Sequence, residues 1–531
     1  LLQRVVGTLY KPYWGSGIMN IKKILTPMLL LSMGTQLYAN NDSSCDCNPY
    51  SRSYLATKPY FMSASPERVS AFRDERIHAR ENGRGMGLQL AVFGAKSRNE
   101  ENLAHYFSSN CSTCMQVREQ IAEEFNRTTD LLAQHFNIFT QNGDFSSKIG
   151  FAPQQSAIGL GFEFRQGFWR NEEKNRGFFY DISTALVRVK NDMNLCERII
   201  NNGGGPNPDA DEHVVANMTE AFRQSEWCFG KICGAQSKTG LSDIEVKAGY
   251  EWLQHKPYHL ESYLGIIIPT GNKAEAKYLF EPIVGNGRHF GVTFGSAVGF
   301  QIWEDVEKDR LLRVEYAIHT EYLFGNTQKR MFDLNNKPWS RYMEVYANKE
   351  QAQQAADLGG QLGANLATPG INVFTRDAKV TPGIAHTHNT AFVLTCKGFQ
   401  GEAGYNYFAR TADCVKLACG FPTTIALKDK LGDGQTNPVR NITGNSLLND
   451  AALAQPLDNY DQNVIRAEDI DLNSGAQPCY VINTLYAALG YRWDTWRYPF
   501  FVNGGGSYEW TSNSNAALDR WIVWAKCGFS F

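Results

Sequence analysis

The feature that most constrains this chain is its last stretch, Arg520 to Phe531. Counting back from Phe531 in steps of two gives Phe529, Cys527, Ala525, Val523 and Trp521, all apolar. The alternate set, Ser530, Gly528, Lys526, Trp524, Ile522 and Arg520, is mixed and carries two cations. A strict period of two over this length predicts a β-strand with one apolar face. An ordinary sandwich strand would satisfy that pattern, so the rest of the chain has to say what covers the face.

The stretch resembles the C-terminal signature of Gram-negative outer-membrane β-barrels, where a terminal aromatic and alternating apolar residues form the closing strand. The resemblance is to a class of proteins. It implies an all-β fold, a transmembrane antiparallel β-barrel in the bacterial outer membrane. Trp521, Val523, Ala525, Cys527, Phe529 and Phe531 would then face outer-membrane lipid. The resemblance also implies that Phe531 is read by the barrel-assembly machinery.

Composition is compatible with this. Mean hydropathy is −0.37, aromatics are 12% and Gly is 47 of 531 residues. That excludes a helical-bundle membrane protein and suits a wall whose apolar face alternates with a polar lumen. A formal charge of −2 leaves no footprint for nucleic acid. Near the start, Lys22 and Lys23 precede an apolar run from Ile24 to Met33, and Ala39 follows. This reads as a secretory signal peptide over 19–39, with 1–18 as upstream read-through before Met19. Most of the twelve cysteines fall between strand candidates, which in an exported chain points to loop disulfides, while Cys396 and Cys527 lie on the lipid-facing rows and are expected free. Cys111 and Cys114 have a redox spacing, but no parallel α/β pattern surrounds them.

Residues 40–83 read as a periplasmic or plug segment. Ser65-Pro66 opens a helical pattern towards Gly83, with Arg73, Arg76 and Arg80 on one face. From 84 to 531 the period is two, which assigns this part to the barrel. Leu88, Leu90 and Val92 alternate with Gly87, Gln89 and Ala91, and Ile158, Leu160, Phe162 and Phe164 alternate with Gly159, Gly161, Glu163 and Arg165. Val117, Ile121 and Phe125 suggest a short helix, and 131–140 and 145–152 read as further strands. The clearest block is 241–324, where four alternating runs are joined by connections that are short, then long. Alternating connection length is a mark of outer-membrane barrels, with brief periplasmic turns and long extracellular loops. The strands add up to about fourteen, or about sixteen if 339–348 pairs with 371–377. Tyr322, Phe324, Tyr491, Trp493, Trp496, Tyr508 and Trp510 sit where girdles at the membrane interfaces belong.

If the apolar rows face lipid, the opposite rows line a pore. One arc then carries Asp243, Glu245, Glu251, Glu261, Glu315 and Glu321, with Arg313 and Lys247 against them. The other carries Lys397, Arg410, Arg492, Arg520 and Lys526, with Glu402 and Asp494 against them. Opposed arcs of this kind resemble the constriction of porins, although local ion pairing between neighbouring strands would give the same list. The 325–384 insert, with a helix-like piece from Gln351 to Leu358, is the candidate for an inward-folded loop. Asp209, Asp211 and Glu212 fit no EF-hand spacing. His386 and His388 share a strand face without a third ligand, which points to a solvated rim. No hydrolase or zincin motif occurs, so no catalytic, cofactor or metal site is assigned and an enzyme is not expected.

The function this predicts is passive diffusion of small hydrophilic solutes through a porin-like channel, as a monomer or homo-oligomer. One alternative is a cysteine cross-linked structural envelope protein, since cysteine-rich major outer-membrane proteins are similar in cysteine number. The other is a plugged barrel for hydrophobic solutes. The strand end Ile267-Ile268-Pro269-Thr270-Gly271 resembles long-chain fatty-acid transport barrels.

Overall fold

The computed structural model describes residues 51–72, 85–109, 112–119, 130–208, 213–357, 366–428, 439–440 and 454–531, except 172, 174, 256 and 513–515. The stretch 19–39 expected to be a signal peptide, Arg73, Arg76, Arg80, the Asp209–Glu212 cluster, Ile121 and Phe125 lie outside the described residues.

Period-two segments long enough to cross a bilayer pair with their neighbours. In chain order these are β1 (Met86–Ser97), β2 (Gln154–Asn171), β3 (Arg176–Asp192), β4 (Ile244–His255), β5 (Tyr258–Ile268) and β6 (Gly291–Asp305). They continue as β7 (Arg310–Leu323), β8 (Ala385–Cys396), β9 (Phe399–Arg410), β10 (Tyr480–Trp493), β11 (Phe500–Thr511) and β12 (Arg520–Ser530). Each is antiparallel to the next, and β12 pairs with β1 from Gly87↔Ser530 to Ser97↔Arg520. The sheet therefore closes on itself with twelve strands. A thirteenth, Gln236–Leu241, lies outside the closure and continues β4 along the far half of β3.

Twelve strands correct the expected fourteen or sixteen. The surplus came from 131–140, where the chain makes only a two-residue strand, Leu131–Leu132, and a 3-10 turn, Ala133–Phe136, and from 145–152. The strand there is Ser146–Gly150, only five residues, or about 17 Å, against the about 9–11 residues a spanning strand needs. It pairs instead with Cys114–Arg118 and Cys196–Asn201, so Val117 lies on a strand and not on a helix. The pairing of 339–348 with 371–377 is also replaced. Glu344–Tyr346 pairs with Thr368–Pro369 and with Ala426–Leu427, away from the barrel.

Connections at one end are the turns 172–175, 256–257, 306–309, 397–398 and 494–499; at the other they are the longer 98–153, 193–243, 269–290, 324–384, 411–479 and 512–519. Phe531 bonds to Met86 in both directions at the short-turn end, N–H to O at 2.9 and 2.7 Å. The long connections pack together as a cap with its own apolar core. Phe136, Phe222, Trp227, Trp339 and Tyr342 meet there with ring centroids 4.9–6.3 Å apart. The expected helix of the 325–384 insert is present as Lys349–Asp357. That insert joins the cap through Asn326–Met331, which pairs with Thr375–Thr381, and these in turn pair with Cys414–Leu417.

The outer surface of the barrel keeps its apolar rows exposed: Leu90, Val92, Ile158, Leu160, Leu264, Phe392, Leu485, Trp521 and Val523. Aromatics ring both ends of this surface. Trp493, Trp496 and Phe500 cluster at 5.5–6.0 Å at the short-turn end. Phe290, Tyr322 and Phe324 do so at 5.2–5.8 Å at the other end. On the inner face, large rings lie flat over glycines of the next strand. A Cβ on Gly249 would fall 2.1 Å from the Phe179 ring, and one on Gly159 would fall 2.3 Å from Phe93. Close approach of this kind is open only to glycine.

The disulfide expectation is corrected for six cysteines. Cys114, Cys196, Cys228, Cys233, Cys396, Cys414, Cys419 and Cys527 are free thiols. Cys114 and Cys196 sit either side of Gly150 on a shared sheet, separated by a whole strand, and a disulfide cannot bridge that gap without backbone movement. Cys396 and Cys527 were expected free from their lipid-facing rows, and they are.

Candidate functional site: the occupied lumen

The lumen is filled by residues 51–72, the described part of the segment expected to be periplasmic or a plug. At the cap end Ser51 N–H donates to Ser108 O at 2.7 Å, and Ser51 Oγ donates to Asp333 at 2.5 Å. At the short-turn end the Phe72 ring lies 6.2 Å from that of Phe501, near the start of β11. The segment thus runs the height of the barrel. Its helix is a single turn, Pro66–Val69, shorter than the pattern to Gly83 predicted. The turn ends where Ser70 turns extended, and Ala71 takes a left-handed φ of 57°.

One-turn geometry aims Arg68 sideways at the wall. Its guanidinium meets Glu245 of β4 at 2.7 Å, Asp181 of β3 at 3.1 Å and Glu163 of β2 at 3.2 Å. Ser63 Oγ donates to Glu245 at 2.6 Å and accepts from Arg68 at 3.0 Å and from Lys247 at 2.8 Å. Lys247 Nζ also lies 3.6 Å from both Asp181 and Glu245. Every one of these side chains is buried. Buried charge in a low-dielectric setting is costly unless matched, and here it is matched by partners on both the segment and the wall.

Further contacts hold the segment along its length. Lys58 Nζ lies 2.7 Å from Glu509 of β11, which also pairs with Arg520 of β12. Arg520 donates to the Lys58 carbonyl at 3.1 Å and stacks over the Tyr60 ring at 4.4 Å. Lower down, Lys526 Nζ donates to the carbonyls of Glu67 and Arg68 at 3.2 and 3.0 Å. Asn406 donates to the Ala64 carbonyl at 2.8 Å, and the Ala71 N–H to Glu402 at 3.4 Å.

The residues expected to line a pore divide by place. Glu245, Glu251, Glu261, Arg313, Glu315, Glu321, Glu402, Arg410, Arg492, Arg520 and Lys526 lie on the inward rows. Many of them pair locally. Arg165 bridges Glu251 and Glu261 at 3.1 and 2.6 Å over the Phe179 ring. Arg313 meets Glu315 at 2.9 Å, with His259 3.2 Å from the same carboxylate. Arg410 pairs with Asp413 at 2.7 Å in the cap, and Arg492 with Asp494. Lys397 and Asp494 lie in the short turns and are exposed to solvent, because both strands end before them. His386 and His388 share a face as expected, but it is the outer face. There their Nδ1 atoms bond Thr320 at 2.9 Å and Tyr316 at 2.8 Å.

Asp243 sits just above β4 and accepts from Asn286 N–H at 2.7 Å and Gly271 N–H at 3.2 Å. Burial pushes its carboxyl up to about 6, against those hydrogen bonds. In the connection that supplies Gly271 and Asn286, His289 bonds the Phe324 carbonyl at 2.8 Å and Gln328 at 2.8 Å, and burial pushes its imidazole down to about 4. Among the described residues no cluster of metal-ligating side chains occurs.

Sequence reasoning passed over Arg68, Lys58, Asp181 and Glu509, and left Glu163 out of the lumen set. Parity would have found Glu163, Asp181 and Glu509, which share rows with Arg165, Ser183 and Ser507. Nothing local marks Lys58 or Arg68.

No family model matches the chain, and no curated protein matches it. Solved structures similar to it include the transport unit of the autotransporter AIDA-I from Escherichia coli, at 7% identity over 84% of this chain and 90% of that one, TM-score 0.31. A Pseudomonas aeruginosa FadL homologue aligns at 9% identity over 91% and 96%, TM-score 0.26. The Ralstonia pickettii toluene transporter TbuX aligns at 9% over 84% and 89%, TM-score 0.29. At such scores the likeness carries no argument about activity, and the barrel rests on its own strand pairing. The chain resembles outer-membrane β-barrels at the level of class.

Proposed function

We propose that this chain is a bacterial outer-membrane channel for small hydrophilic solutes, held shut by its own residues 51–72. The carrying observation is the salt-bridged seat of that segment along the lumen, from Ser51 under the cap to Phe72 beside Phe501. The inward rows are polar or charged on most strands, which suits solutes that keep their hydration. The short-turn end is then periplasmic, and the cap is extracellular.

Conductance in a planar bilayer tests this reading. Wild-type protein should be closed for most of the record, and a Lys58→Ala/Arg68→Ala variant should open often. Equal, steady conductance from both would remove residues 51–72 as the barrier. Silence from both, with folded protein by heat-modifiability, would favour the structural envelope reading. The occupied lumen is also what the hydrophobic-solute alternative requires, and the inward apolar patch of Phe93, Val187, Val393, Ile522 and Trp524 favours it, whereas the charged seat of Arg68 stands against it.

A further inference from the structure

Arg68 is held at both ends. Its guanidinium faces three carboxylates from three adjacent strands, at 2.7, 3.1 and 3.2 Å. Its main-chain carbonyl accepts from Lys526 Nζ at 3.0 Å and from Gln89 Nε2 at 2.9 Å. Those donors belong to β12 and β1, on the wall beside the carboxylates. The wall thus presents anions to a cationic head and donors to an oxygen at the other end of the same residue.

This arrangement does not depend on neighbouring plug residues for its charge balance. Without Arg68, Glu163, Asp181 and Glu245 would face Lys247 as the near cation, leaving a negative surplus on that arc. The site also has capacity left. Glu245 Oε1 is buried and accepts no hydrogen bond, with the His319 ring nitrogen 3.9 Å away. Arg68 Nε, also buried, donates to nothing. A planar guanidinium suits such a fork of carboxylates better than an ammonium does.

We propose that the wall site made by Glu163, Asp181, Glu245, Lys526 and Gln89 binds a basic amino acid or short basic peptide when residues 51–72 are displaced, with Arg68 as the chain's own stand-in. Its head group is a guanidinium, and its carbonyl or carboxylate oxygen meets Lys526 and Gln89. The open channel is then selective for cations at this level. The inference rests on the closed-channel reading and deepens it by naming a solute class.

The test uses full-length Arg68→Ala protein in detergent, with L-arginine as the probe and L-citrulline, its uncharged isostere, as the control at matched ionic strength. Arginine should raise Tm by about 2 °C or more, as a ligand of the native state does, and citrulline should not. Adding Glu163→Gln and Asp181→Asn should abolish the difference. Equal shifts, or none in folded protein, would overturn the site. If Arg68→Ala does not fold, the wild-type channel is recorded instead. Arginine should then raise its open probability above citrulline, by competing for the wall, and equal values would overturn the site. Binding without any conductance would sink the channel reading alone. Conductance that ignores arginine would sink this inference alone.

Discussion

The molecule has two interiors, and they are built on opposite principles. Under the cap, Trp339, Tyr342, Trp227 and Phe136 pack ring to ring and are all but fully buried. Inside the barrel, Arg68, Glu163, Asp181, Glu245 and Lys247 are just as buried and make a core of charge. The cap faces water, so it stabilises itself by burying apolar area, as soluble domains do. The wall turns its apolar rows to lipid, so the alternate rows are free to carry charge inward, which they do beside an apolar patch of Phe93, Val187, Val393, Ile522 and Trp524. Burial in this protein therefore says nothing about polarity until the solvent on the other side of the wall is known.

That contrast can be broken at either interior. Trp339→Ala empties the cap core and should cost about 3–5 kcal/mol. Tryptophan fluorescence should report a loosened cap while gel mobility still reports an intact barrel. Simultaneous loss of both signals would mean the two interiors fold as one. Arg68→Ala should cost a similar amount, about 3–5 kcal/mol, because it strands three buried carboxylates. The two then part company. Replacing the whole cluster by Arg68→Met, Glu163→Met, Asp181→Leu, Glu245→Met and Lys247→Met should recover most of that loss, since a buried ionic cluster exchanged as a unit for apolar side chains of similar volume is often neutral. Urea unfolding of the barrel would check this, and a fivefold variant weaker than Arg68→Ala would contradict it.

A smaller effect is expected at Tyr486, whose hydroxyl lies 3.0 Å from both Glu402 and Asn389. Tyr486→Phe should cost about 1 kcal/mol and leave the ring over Gly404 in place. A loss nearer that of Trp339→Ala would show that the lumen network is more cooperative than its pairs suggest.

The smallest effect is a pH dependence at the seam between cap and barrel. His289 is held neutral in the fold, donating to Phe324 O and accepting from Gln328. Its folded value, near 4, lies below the ordinary value of 6.5. The contribution is therefore full above 6.5 and is lost as pH falls from there towards 4. Amide protection factors around 286–290, corrected for the intrinsic pH dependence of exchange, should fall over that window, and His289→Gln should flatten the dependence. Asp243 beside it has its value raised to about 6, so its own contribution runs the other way. In His289→Gln only the Asp243 dependence should remain, with protection lost as pH rises towards 6; a window of the original sign that survives would remove His289 as its cause.

Much of the barrel was legible because period two is a local property. Leu88, Leu90 and Val92, or Phe392 and Leu394, announce an outward row whatever they pair with, and the structure exposes Leu90, Val92, Phe392 and Leu394. Short and long connections were legible for the same reason, and so was the inward parity of Glu245, Glu261 and Lys526. Counting failed at 145–152, because alternation does not measure span. Ser146–Gly150 alternates perfectly well in a sheet of the cap. Arg68 carried no such signal, yet it is seated on the wall.

What the residues determine by themselves is thus the wall, which face of each strand meets lipid and which end carries the long connections. What only the tertiary structure decided is what fills the barrel. Arg68 meets Glu163, Asp181 and Glu245 across separations of 95, 113 and 177 residues. No local pattern encodes such a meeting. It exists only because closure of twelve strands brings β2, β3 and β4 around one point, and because a chain passing through the centre must offer each buried charge a partner.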